Sequence, residues 1–101
     1  MVLTKEETLE RAYTLVTGER NRTYGPPRKN LEITAQIWSA QLAHVLLRPL
    51  RPDEVAQLMV GLKLARLVES PDHADTWVDV AGYAAIGAEV ATVSPVKEEE
   101  S

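Results

Sequence analysis

Apolar residues recur at helical spacing in four stretches of this chain, and proline, glycine or serine interrupts the pattern between them. In the first stretch Leu9, Ala12, Tyr13, Leu15 and Val16 follow Thr4 and Glu7, a capping box three residues apart, and Gly18 supplies a stop. A second helix is expected to start near Pro27 or Arg28. It carries Leu31, Ile33, Ala35, Ile37, Trp38, Leu42, Val45 and Leu46 up to the break at Arg48-Pro49-Leu50-Arg51-Pro52. Pro52 suits the first turn of a third helix, where Asp53 and Glu54 oppose the dipole, and Val55, Leu58, Met59, Leu62 and Ala65 are its expected buried face. A fourth helix is expected from Pro71 or Asp72 to Val93, with Ser70 as its cap. It is rich in Ala and Gly all round, which permits close approach by several neighbours. Trp38 and Trp77 are expected in the core. No stretch reads as a strand, and no internal repeat is visible.

The pattern therefore predicts an all-α, four-helix bundle over residues 1–93, followed by a disordered acidic tail over 94–101 that contains Glu98, Glu99 and Glu100. Composition sharpens this in three ways. The 101 residues include no Phe, so the core must be built from small and aliphatic side chains; so short a chain is near the lower range for an independent core, and a homo-oligomer is expected. Absence of Cys rules out disulfides and thiolate metal sites. No signal pattern and no run of about 20 apolar residues is present, so a soluble protein of the cytoplasm with no membrane segment is expected, and the net charge of −4 argues against nucleic acid as a partner.

Charge placement adds candidate chemistry. Lys63 and Arg66 lie one turn apart on the third helix, while Asp72, Asp75 and Asp79 share a face of the fourth, with Tyr83 one turn further on. A short connection makes these helices antiparallel neighbours, so Lys63 and Arg66 are expected beside Asp79 and Asp75. Such a seam either holds the hairpin together or forms one wall of a polar site. Acidic residues on a helix face could hold magnesium against phosphates, and Glu32 on the second helix could add a ligand. The segment Arg20-Asn21-Arg22-Thr23-Tyr24-Gly25-Pro26-Pro27-Arg28-Lys29 offers four cations, an aromatic ring, a Gly and a helix start, the ingredients for binding an anion. Arg22, Tyr24 and Arg28 are its leading candidates. His44 and His73 have no second His at metal spacing, and no Ser-His-Asp set, P-loop or dinucleotide fingerprint occurs.

Arg22-Thr23-Tyr24-Gly25-Pro26, Asn30-Leu31, Ile37-Trp38, Leu62-Lys63-Leu64-Ala65-Arg66 and the closing Asp75-Thr76-Trp77-Val78-Asp79-Val80-Ala81-Gly82-Tyr83 together resemble a family of small phage and prophage proteins over roughly residues 20–90. That family is more distantly similar to the MazG-like all-α nucleotide pyrophosphohydrolases. The resemblance implies a helical, oligomeric protein that holds magnesium and a nucleoside triphosphate on acidic helix residues. Asp75 and Asp79 match one acidic pair of that pattern. Lys63 and Arg66 stand where the other pair is expected, and cations there repel magnesium.

Three functions remain open on the sequence. The chain could be a magnesium-dependent nucleoside triphosphate pyrophosphohydrolase, with Asp75, Asp79 and Glu32 on the metal and Arg22, Tyr24, Arg28, Lys63 and Arg66 on the phosphorylated ligand. It could sequester a nucleotide or another phosphorylated small molecule without turnover. Or it could be a structural phage accessory protein that binds a host protein and no small molecule.

Overall fold

A computed structural model describes residues 1–18 and 25–93. These form four helices: α1 (Lys5–Thr17), α2 (Pro27–Gln41), α3 (Pro52–Glu69) and α4 (Ala74–Thr92), with no strand among the described residues. The expected tail over 94–101, and Arg22 and Tyr24 of the basic segment, lie outside them.

The capping box at α1 forms as its spacing requires: Glu7 N–H donates to Thr4 Oγ1 at 3.1 Å, and Thr4 N–H donates to Glu7 Oε1 at 3.0 Å. Pro27 and Pro52 both occupy first-turn positions, where a missing N–H leaves no helical bond unmade. Before α3, Arg48 grips the Glu54 carboxylate with two nitrogens at 2.6 and 2.9 Å, and Arg51 reaches Asp53 at 3.0 Å.

Two helix limits differ from the periodic pattern. α2 ends at Gln41, several residues before Pro49, and residues 42–45 continue as turns. The chain must double back here, because Leu50 N–H donates to Ser39 Oγ at 2.8 Å and Leu50 packs on the core. A longer helix would carry the chain away from that anchor. α4 starts at Ala74 rather than Pro71 or Asp72, and its cap is His73, not Ser70. The Pro71-Asp72 turn is closed by His73 N–H on Ser70 O at 3.1 Å, and His73 Nδ1 lies 2.9 Å from the hydroxyl of buried Thr76.

α3 packs most extensively on α4, α1 on α4, and α2 on α3. Leu31, Ala35, Val55 and Ala56 form the core cluster, with Trp38, Leu50, Met59, Ile86 and Val90 against it. Small residues set the helix spacing. A Cβ on Gly87 would meet the Ala56 Cβ at 3.1 Å, and one on Gly82 would meet Val16 Cγ1 at 3.4 Å. The buried side of α3 is Val55, Ala56 and Leu67, whereas Leu58 and Leu62, expected inside, are exposed. Trp77 is also exposed rather than in the core. Its indole N–H donates to Pro71 O at 2.8 Å, which pins the ring outside the bundle over the turn.

Three outcomes follow for stability. Gly61 lies in the exposed interior of α3 with nothing within 4 Å of a Cβ, so Gly61→Ala should raise unfolding free energy by about 0.5–1 kcal/mol. Gly87→Ala has the same intrinsic advantage but forces α3 and α4 apart, so urea titration should show a smaller gain or a loss. For Glu54, hydrogen bonds from Arg48 and then from the Arg51 backbone lower the carboxyl from 4.5 to about 2. A carboxyl depressed in the folded state stabilises it above the unfolded pKa and loses that contribution as pH falls through the folded one. Urea midpoints should therefore drop between about pH 4.5 and pH 2. Glu54→Gln should flatten that limb, and added salt should weaken it because the pair is near the surface.

Candidate functional site

The four helices do not close on one another completely. Where the end of α1, the start of α2 and the middles of α3 and α4 meet, they enclose a cavity of about 460 Å³. Each helix contributes by a stripe with a spacing of three or four residues: Asn30, Leu31, Thr34 and Trp38 from α2, Val55, Met59 and Lys63 from α3, and Asp79, Gly82, Tyr83 and Ile86 from α4. Leu15 and Val16 of α1 close one side, and Gly25 and Pro27 lie at the rim. Gly25 has φ of +84°, a conformation that favours glycine, and its carbonyl accepts from Asn30 Nδ2 at 3.3 Å. The Thr34 hydroxyl donates to Asn30 O at 2.8 Å.

The charged feature of the wall is an ion pair across the hairpin. Lys63 Nζ stands 2.9 Å from Asp79 Oδ2, with the side chains 13% and 32% exposed. This is one rung of the expected seam. The second rung does not form: Arg66 and Asp75 are both exposed, and neither lines the cavity. The register explains this. Lys63 opposite Asp79 puts Arg66 level with Thr76, so Asp75 is not its direct neighbour across the hairpin. Asp75 is in the first turn of α4, where a carboxylate favours the positive end of the dipole.

Arg28 is placed by a different demand. Its guanidinium donates to Glu89 O and Val93 O, so this cation serves the carbonyl end of α4, 61 and 65 residues away in sequence. Glu32 is half-exposed and does not line the cavity. It is two positions from both Asn30 and Thr34, about 200° round the helix, and so belongs to the opposite side of α2.

The described structure does not bring Glu32, Asp75 and Asp79 together. Asp79 is bonded to an ammonium, Asp75 points to solvent, and Glu32 is across α2. Among the described residues no three acidic or histidine side chains are gathered to hold a metal ion.

The cavity therefore unites Lys63 and Asp79 with Asn30, Thr34, Trp38 and Tyr83. Asn30 and Thr34 carry a sequence signal that is easily passed over: a polar pair at i and i+4, directly beside the buried stripe of Leu31, Ala35 and Trp38. Polar positions that flank an apolar stripe at its own spacing mark the edge of a core, which is where cavities open.

The same residues fall within the part of the chain that has relatives. The "Gene 55 protein" of Mycobacterium phage D29 is 39% identical over 79 residues, which cover 78% of this chain and 50% of that protein. Its namesake in Mycobacterium phage L5 is 38% identical over 78 residues, 77% of this chain and 48% of that protein. The chain thus spans about half the length of these curated relatives. No solved structure matches it. A family model described as "Domain of unknown function (DUF6378)" matches residues 7–91, from the first turn of α1 almost to the end of α4 and with every cavity-lining residue inside it, and the chain belongs to that family.

Proposed function

We propose that this phage-type protein binds a nucleotide, or a phosphorylated small molecule of similar build, in the cavity between its helices. The observation that carries this reading is the position of the Lys63–Asp79 pair. A half-buried ion pair in an aliphatic wall stabilises a fold little or not at all relative to well-packed apolar residues, because desolvation offsets most of its attraction. Its presence beside an open volume is better accounted for by a polar ligand. The volume falls within the roughly 300–1,000 Å³ common for small-molecule sites.

The lining matches such a ligand in two zones. Trp38, Leu31, Met59 and Ile86 supply an apolar side suited to a planar base. Asn30, Thr34, Tyr83, Lys63 and Asp79 supply donors and acceptors for base, sugar or phosphate. The N-terminus of α2, whose N-cap residue Pro26 makes no side-chain cap bond, lies beside the cavity at Gly25 and Pro27 and favours negative charge. Binding without turnover is the form the geometry favours over MazG-like pyrophosphate release, because Asp79 is already occupied by Lys63 and stands apart from Asp75 and Glu32.

A thermal-shift screen with nucleoside mono-, di- and triphosphates and cyclic dinucleotides, each with and without magnesium, tests this. Ligand at about 100 times Kd adds about 2.7 kcal/mol, several degrees for a domain of this size. The expected result is a shift that does not require magnesium and that Lys63→Met removes without unfolding the protein. No shift with any ligand would favour the reading as a structural or host-protein-binding protein, and magnesium-dependent loss of a triphosphate would restore the enzyme. Asp79→Asn should lower stability by about 1–3 kcal/mol, read by urea titration, because it leaves the Lys63 ammonium half-buried without its carboxylate.

A further inference from the structure

The Lys63–Asp79 pair leaves part of its own bonding capacity unused. Asp79 Oδ2 accepts from Lys63 Nζ at 2.9 Å, and among the described residues no protein group donates to Asp79 Oδ1. The Lys63 ammonium carries three N–H donors and gives one of them to Asp79. The indole N–H of Trp38 and the hydroxyl of Tyr83, residues that line the same cavity, likewise have no partner among the described residues. None of these atoms is sealed away from solvent, so each stays open to an occupant. Lys63 and Asp79 are also the two charged residues of the lining, whose formal charge is therefore zero. Arg28 is committed to the carbonyl end of α4, and Arg66 is exposed outside the cavity.

Charge and hydrogen bonding together select what can sit against this pair. A phosphate oxygen that approached Lys63 would also approach the Asp79 carboxylate, and it would bring no N–H for Oδ1. Like-charge repulsion and an unfilled acceptor both oppose it. An uncharged group with an N–H beside a carbonyl fits instead, because the N–H donates to Oδ1 while the carbonyl accepts from the ammonium. Both bonds are charge-assisted. Donors outnumber acceptors around the pair, since Trp38 and Tyr83 add theirs to those of Lys63. A carbonyl oxygen has two lone pairs and can take a second of these donors, whereas the ring nitrogen on an adenine or cytosine edge has one. Resting on the reading of the cavity as a ligand site, we infer that the Lys63–Asp79 pair recognises the lactam edge of a nucleobase, the ring N–H beside a carbonyl found in uracil, thymine and guanine. The uncharged nucleoside carries the affinity, and the phosphate of a nucleotide stays outside the pair.

Calorimetric titration of the full chain with uridine, thymidine, guanosine, adenosine and cytidine, and with the mono- and triphosphate of each in the absence of metal, tests this. At least one of uridine, thymidine and guanosine should bind within about tenfold of the affinity of its own phosphates, and more tightly than adenosine or cytidine. A methyl group on the ring nitrogen of that base removes the N–H and should weaken binding about 10–100-fold, the loss of one hydrogen bond to a charged group. The change is made on the ligand, so this readout does not depend on a variant folding. In Asp79→Asn the same methylation should cost several-fold less, a coupling that crowding alone would not produce. Nucleotides that bind while their nucleosides are weaker by more than about tenfold would overturn the inference and leave the cavity as a phosphate site. So would adenosine or cytidine binding as tightly as the lactam nucleosides, or an N-methylated base binding unimpaired. Absence of binding by every nucleoside and nucleotide would overturn the ligand reading of the cavity itself, and this inference with it.

Discussion

The register of α3 against α4 is the constraint from which the rest of the structure follows. It is set where Gly87 lets the Ala56 methyl group approach closely, a Cβ at position 87 lying only 3.1 Å from it. Antiparallel helices joined by a short turn can slide by a turn at little cost in buried area, since both are apolar. A contact available at one height only removes that freedom. With Ala56 on Gly87, Lys63 comes opposite Asp79 and the cavity-lining stripes of the two helices face the same space.

That register also divides the charges of the hairpin into those with a partner and those without. An ion pair seen on paper as two rungs is one rung in three dimensions, because the register that pairs Lys63 with Asp79 sets Arg66 opposite Thr76 rather than Asp75. Arg66 and Asp75 face water, where each is well solvated. Lys63 and Asp79 lie where water is partly excluded, and there the pair shapes the polarity of a space open to a ligand.

How much of this could be read from the sequence depends on the range of the interaction concerned. Thr4 and Glu7, and the prolines at positions 27 and 52, act within one turn, and the helix starts they mark are where the spacing puts them. The end of α2 depends on Ser39 meeting Leu50, and the place of Trp77 on the carbonyl of Pro71; both are anchors made by chain reversal, to which periodicity is blind. Lys63 and Asp79 were legible as a pair because the turn between their helices is short. Arg28 was not legible as a helix cap, since its partners are more than sixty residues away. Asn30 and Thr34 become site residues only once α4 is laid across from them. Membership of the DUF6378 family locates the cavity within the shared region without naming what fills it.

The Arg28 clamp gives the molecule an expected order of assembly and of opening. The α3–α4 hairpin joins residues close in sequence and carries the most extensive packing, so it can form early at a small cost in loop closure. Arg28 on the end of α4 is a long-range contact, made only when the beginning of α2 arrives. α2 otherwise packs mainly on α3 and touches α4 less, so among the described residues the Arg28 guanidinium is a leading tie to α4 at this end. In the folded state the same hierarchy runs in reverse: the start of α2 can lift away while the hairpin stays intact, a local opening of the kind amide exchange detects. Since Asn30 and Thr34 travel with that segment, the cavity can be unroofed without unfolding the protein, and a ligand that bridges α2 to the hairpin would slow exchange at the start of α2 before it affected the core.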